Sequence, residues 1–139
     1  MILHCNYEEL QALASSGAAI VAAAEAASHG SVSAPAERVA RVETLLPRLT
    51  GDLTIETLPD QRRVRDAVAL ICEDVHGRLD ETIIAYGPAH EDAVTMYFDY
   101  GHSRSVLARL DRMGAEMEAI IDLISGGSAG AAAGISFPD

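Results

Sequence analysis

The segment from Leu107 to Ile124 carries the most regular apolar pattern in the chain. Its apolar and glycine positions alternate between spacings of three and four residues, the repeat of a helix that packs along one side. These positions are Leu107, Leu110, Gly114, Met117, Ile121 and Ile124. Because the repeat spans fewer than three heptads, it predicts packing within a helical bundle rather than an extended coiled coil.

Two helices are predicted in the first part of the chain. Asn6 and Glu9 have the spacing of a capping box, so a first helix should begin beside them and cover about 7–28. A second helix should begin near Pro35, a favoured residue in a first turn. Pro47 lacks an N–H and clashes with the preceding turn, so it should end or kink this helix.

Two longer helices follow. Thr57 can cap the third, Pro59 falls in its first turn, and Gly87 should end it. The fourth should cover about 89–125, although aromatic residues and a glycine within 94–104 leave a kink or a non-helical insert open. Weak alternation predicts a minor strand pair between 2–5 and 53–57. The fold class is therefore mainly α, an antiparallel four-helix bundle with a possible short strand pair.

The chain divides into a bundle domain, 1–125, and a C-terminal tail, 126–139. The tail is rich in Gly, Ala and Ser, which is typical of a flexible linker. It closes with an apolar residue, Phe137, for which we predict docking onto the same chain or another subunit.

Charge and cysteine content exclude several classes of protein. A formal net charge of −11 disfavours binding to nucleic acid or to an anionic membrane, since both need a basic surface. The longest apolar run, 17–24, is too short to span a bilayer. Cys5 and Cys72 form no CxxC pair and the start of the chain has no signal-peptide pattern. A soluble, cytoplasmic protein is the expectation, with Cys72 buried as a small apolar residue.

No catalytic motif is present, which disfavours an enzyme: the sequence has no GxSxG, no phosphate-binding loop and no GxGxxG. The wide apolar face of the fourth helix indicates either a subunit interface or a wholly buried central helix. The sequence thus predicts a non-catalytic interaction protein, an adaptor, accessory subunit or inhibitor, that binds a protein partner or itself as a homodimer or higher oligomer. The predicted interface consists of Leu107, Leu110, Met113, Met117, Ile120, Ile121, Ile124 and Phe137.

A metal-carboxylate bundle is the alternative. Glu73 and His76, and again Asp99 and His102, are three residues apart, a spacing that places two ligands on one side of a helix. Such a site would hold iron or manganese for binding or oxidation. At about 100° per residue, however, Glu73 falls on the polar face and His76 on the flank of its helix. Asp99 is more simply explained as a carboxylate held by hydrogen bonds or a salt bridge, and the alternative interpretation is a buried acid with a raised pKa.

Overall fold

The computed structural model describes residues 1–27 and 35–132, with side chains as far as residue 126. Within these residues the chain is mainly helical, with four α-helices and one short antiparallel strand pair, as predicted. The elements in chain order are β1 (Ile2–Leu3), α1 (Tyr7–Ala26), α2 (Ala36–Leu45), β2 (Leu53–Thr54), α3 (Leu58–Tyr86) and α4 (Glu91–Ala132).

The helix starts follow from local hydrogen bonds. The Asn6 side chain accepts a 2.8 Å bond from the backbone N–H of Glu9, and the Glu9 carboxylate accepts a 3.0 Å bond from the Asn6 N–H. This reciprocal pair is the predicted capping box. Thr57 caps α3 in the same manner, because its hydroxyl accepts a 3.2 Å bond from the Asp60 N–H.

The helix ends also follow from single residues. Pro47 stops α2 at Leu45, and the chain continues through one 3₁₀ turn, Leu46–Arg48. Gly87 ends α3 with φ of +89°, a backbone conformation that L side chains rarely adopt. Both positions were predicted to end their helices, and both predictions are confirmed.

The strand pair is shorter than the predicted segments 2–5 and 53–57. Ile2 lies opposite Thr54, and Leu3 lies opposite Leu53. The backbone N–H of Cys5 donates to the Asp52 carboxylate at 3.1 Å instead of extending the ladder. Because Leu3 and Leu53 are both buried, the pair contributes to the core.

Helix α4 differs from its predicted form in two respects. The segment 94–104, which the sequence left open, is helical throughout. The helix also continues to Ala132, beyond the predicted end at residue 125, into the Ala-containing part of the predicted linker. Alanine is the strongest helix former and favours this continuation, whereas each neighbouring glycine opposes it. The remainder of the predicted tail, with Phe137, lies outside the described residues.

Helices α3 and α4 run in opposite directions and form a hairpin that carries the other elements. Contacts follow the length of the pair: Arg62 binds Glu118 at 2.9 Å near the start of α3, and the Thr82 hydroxyl lies 3.5 Å from the Met96 sulfur near its end. Both α1 and α2 pack on this hairpin. The larger apolar side chains of the core that are fully buried are Leu13, Val42, Leu45, Leu53, Ile55, Val68, Ile71, Val75, Val106 and Leu110.

Candidate interaction surfaces

The predicted interface on α4 divides into a buried part and an exposed part. Leu110, Met113 and Met117 are 0%, 6% and 8% exposed, and they belong to the core of the chain itself. Leu107 packs against the same core and is partly buried. These four side chains are therefore committed to intrachain packing, because α1 and α3 cover this part of α4.

The exposed part of that interface begins after Met117. All residues of the segment 118–126 are exposed, so α4 projects here as a single helix, and we call this segment the α4 extension. It carries four large aliphatic side chains with exposed fractions between 43% and 75%: Ile120, Ile121, Leu123 and Ile124. At about 100° per residue they cover an arc of roughly 160°. An apolar face of this width on a projecting helix is typical of an interaction site.

Charge does not prevent two α4 extensions from meeting. Glu118, which flanks the apolar arc, is neutralised by Arg62 of α3 at 2.9 Å. Asp122 lies on the opposite side of the helix from the centre of the arc, by the same helical count. Within 118–126 the apolar face is thus bordered by few free charges, whereas the exposed Glu116 lies one turn earlier on the same side of the helix.

The predicted metal ligands on α3 have other partners. The Glu73 carboxylate accepts hydrogen bonds of 3.1 and 3.3 Å from the Arg38 guanidinium of α2. The His76 ring lies 3.5 Å from the Asp80 carboxylate and packs against the Tyr100 ring at 5.1 Å between centroids. His76 is half-exposed, which agrees with its predicted position on the flank of the helix.

The second predicted pair lies on α4. Burial raises the pKa of Asp99, and the nearby positive charges of His102 and Arg78 oppose that rise. Within residues 1–27 and 35–126, no three or more His, Cys, Asp and Glu side chains are grouped so that they could hold a metal ion. The structure therefore does not bring Glu73, His76, Asp99 and His102 into one site, and the iron or manganese site stays a prediction without geometric support.

A groove of about 520 Å³ runs between α3 and α4 on the side of the hairpin that bears His76 and Tyr100. Cys72 lines it but is only 5% exposed, and burial raises the pKa of its thiol to about 11, against the opposing charge of Arg104. The thiol is therefore protonated at neutral pH and is a poor nucleophile. This agrees with the expectation that Cys72 is a buried apolar residue.

A second exposed apolar surface, which was not predicted from the sequence, lies where α3 turns into α4. We call residues 80–99 the hairpin tip. No side chain in 80–92 is buried, and the whole of that range is described. The most exposed large apolar side chains of the tip are Ile84, Tyr86, Tyr97 and Phe98, at 85%, 69%, 63% and 58%. The crowding of aromatic residues around Tyr97 was the available signal, since these side chains point around the helix rather than to one side.

No family model matches this chain, and no curated protein or solved structure matches it either. In the described parts of the chain, no helix combines the length and the apolar character needed to cross a membrane. A function for this protein has to be inferred from its own surfaces.

Proposed function

We propose that this chain is a small, non-catalytic interaction protein, acting as an adaptor, accessory subunit or inhibitor, that self-associates through the α4 extension. In this proposal the four helices form an antiparallel bundle, and the α4 extensions of two or more copies pack together. The single observation that carries it is the projection of four aliphatic side chains on a helix that nothing in the described chain covers. The cytoplasm is the proposed compartment, and the two free cysteines are compatible with a reducing environment.

The energetics support an association that depends on concentration. Burying the exposed aliphatic surface of two α4 extensions gains on the order of 10 kcal/mol, at the usual value per aliphatic side chain. Association costs roughly 4–15 kcal/mol in lost freedom of motion. Because the two quantities are similar, we expect monomers and oligomers to exchange over an accessible concentration range.

The continuity of the apolar repeat supports the same surface. Ile121 and Ile124 continue the spacing of the residues that α4 buries against α3, including Leu110 and Met117. A helix that keeps this repeat past the end of its intrachain neighbour is ready to pack against another helix in the same manner.

The test is the mass of the protein in solution for the wild type and for Ile121→Asp. We expect a dimeric or larger mass for the wild type by native mass spectrometry and light scattering, and a monomer for Ile121→Asp. Ala119→Asp is the matched control, since it adds the same charge to the same exposed helix outside the apolar arc, and it should leave the mass unchanged. Met117→Asp is unsuitable, because Met117 is part of the core.

A wild-type protein that is monomeric at every concentration would refute self-association. Equal dissociation by Ile121→Asp and Ala119→Asp would show that charge on α4, not the apolar face, controls the assembly. Circular dichroism of each variant checks that the helical fold is retained.

A further inference from the structure

The charge of the hairpin tip is unlike that of the rest of the molecule. The segment 79–103 contains five carboxylates and no Lys or Arg, so all ten residues of those two types lie outside it. The five are Asp80, Glu81, Glu91, Asp92 and Asp99. Elsewhere most carboxylates of the helices pair with an Arg, as where Arg41 binds Asp66 at 2.7 Å and Arg65 binds Asp111 at 2.8 Å. In the tip, Asp80 and Asp92 instead lie 3.5 and 3.9 Å from the rings of His76 and His90.

The segment that carries these carboxylates also exposes large apolar side chains. Tyr97 and Phe98 pack edge to face with centroids 5.8 Å apart, and each keeps more than half of its surface exposed. Within the chain, the Arg104 guanidinium already lies 5.7 Å from the centroid of the neighbouring Tyr100 ring. The aromatic faces of the tip are therefore of the kind on which a guanidinium stacks.

The tip is continuous with the groove between α3 and α4. A depression of about 460 Å³ lined by Tyr97, Phe98 and Gly101 shares Tyr100 and Arg104 with that groove. A Cβ built on Gly101 would meet nothing within 4 Å, so packing inside the chain does not require glycine there. Glycine lowers helix stability, and packing within the chain does not explain it at position 101. It would allow the backbone of another molecule to approach closely there.

We infer that the hairpin tip binds a basic, amphipathic helical segment of another protein. The apolar side of that segment would lie on Tyr97, Phe98 and Ile84, while its Arg or Lys side chains pair with the carboxylates of Asp92 and Glu91. Helices with one apolar side commonly bind in grooves of this kind, and opposite charge directs the approach. A second copy of this chain is a poor occupant of the acidic tip, because its own formal net charge is −11.

This inference shares with the proposed function the premise that the chain acts by binding proteins, but it concerns a separate surface. The probe is a fluorescent synthetic helical peptide with Leu on one side and Arg on the other, titrated with the full chain and followed by anisotropy. We expect binding that weakens with salt, since exposed charges are screened. Phe98→Ser should weaken binding at least about tenfold, the usual effect of removing a central aromatic contact. The double variant Glu91→Gln and Asp92→Asn should weaken it at low salt and reduce the salt dependence.

Two control variants remove equivalent groups at the other end of α4, in or just before the α4 extension. Leu123→Ser removes an exposed apolar side chain, and the pair Glu116→Gln and Asp122→Asn removes two carboxylates. Both should leave peptide affinity within about twofold of wild type, since surface changes away from a binding site are usually neutral. Leu123→Ser tests the proposed self-association instead, through its effect on mass.

Three results would overturn the inference. Unchanged peptide affinity for Phe98→Ser would show that the aromatic surface is not the binding site. Equal weakening by the tip variants and the control variants would show that the peptide binds only through general attraction to an acidic protein. A lower oligomeric mass for Phe98→Ser would identify a second copy of the chain as the occupant of the tip. A Leu/Glu peptide that binds as well as the Leu/Arg peptide would refute the role of charge.

Discussion

Replacing Gly114 by alanine tests how α3 and α4 are locked together just before α4 leaves the core. A Cβ at this position would lie 2.8 Å from the Nε2 atom and 2.9 Å from the Oε1 atom of Gln61. The Gln61 amide is 4% exposed and donates a 2.7 Å hydrogen bond to the backbone carbonyl of Leu110. The added methyl group would therefore displace a buried amide from its only hydrogen-bond partner within the described residues.

Two opposing contributions set the magnitude. Alanine in a helix interior is favoured over glycine by about 0.5–1 kcal/mol. Leaving a buried polar group without its partner costs about 1–3 kcal/mol. The net expectation is that Gly114→Ala lowers the free energy of unfolding by up to about 2.5 kcal/mol.

The assay is urea unfolding followed by far-UV circular dichroism, with Gly101→Ala as the matched control in the same helix. An added Cβ at Gly101 meets nothing within 4 Å, so this substitution should raise the free energy of unfolding by about 0.5–1 kcal/mol. Measurements on the Ile121→Asp background remove any contribution from self-association. The combination of Gly114→Ala with Gln61→Ala should recover part of the loss, because the displaced amide is then absent.

A stabilising effect of Gly114→Ala equal to that of Gly101→Ala would refute this reasoning. It would mean that Gln61 moves aside without losing its hydrogen bond, so that the close approach of α3 and α4 does not depend on glycine.

Two further predictions concern carboxyl groups and pH. Glu9→Gln keeps the capping geometry but removes the negative charge that Arg109 contacts. It should therefore lower the free energy of unfolding at pH 7 by about 1.5–3 kcal/mol, which is the usual contribution of a hydrogen bond to a charged group. Burial alone would raise the pKa of Glu9, but hydrogen bonds from Arg109 and the Asn6 backbone hold it below 4.5. The difference in unfolding free energy between the wild type and Glu9→Gln should therefore shrink as the pH falls below 4.5, which unfolding experiments at several pH values would measure. A deficit that is independent of pH would contradict the role of the charge. For Asp99, burial raises the pKa above 3.8, so the ionised group costs stability and Asp99→Asn should raise the thermal midpoint at pH 7. That gain should disappear as the pH falls through the raised pKa towards 3.8. If Asp99→Asn instead lowers the thermal midpoint at pH 7, the carboxylate has a stabilising partner and the prediction is wrong.

The parts of the fold that were predicted correctly depend on interactions between residues close in sequence. The capping box of Asn6 and Glu9, the cap at Thr57 and the ends at Pro47 and Gly87 each involve a few neighbouring residues. Such interactions are determined by residue type and spacing alone. Several starts and ends of the helices could therefore be derived closely without a structure.

The interaction surfaces could be predicted only in part, because exposure depends on which other elements cover a helix. The repeat from Leu110 to Ile124 shows which side of α4 is apolar, and it gives no indication of where the covering helices stop. Met117 and Ile124 lie seven residues apart and occupy equivalent positions in that repeat, yet one is 8% exposed and the other 66%. This difference in exposure arises because α3 begins at Leu58 and does not extend alongside the last turns of α4.

Unequal helix lengths account for both exposed surfaces. At about 1.5 Å per residue, the 29 residues of α3 and the 42 of α4 span roughly 43 and 63 Å. The 20 residues of α1 and 10 of α2 span only about 30 and 15 Å. Two short helices cannot cover two long ones, so uncovered segments are unavoidable.

The position of the core determines where these segments lie. Because α3 and α4 run in opposite directions, the uncovered segments fall at opposite ends of the hairpin, one at the tip and one at the α4 extension. A chain selected only for a stable monomer would lose little by shortening both ends, or by carrying polar side chains there. Both ends instead keep large apolar residues, such as Phe98 and Leu123. Each end should therefore contribute to binding and little to the stability of the monomer, so Phe98→Ser and Leu123→Ser should change association much more than unfolding of the isolated chain.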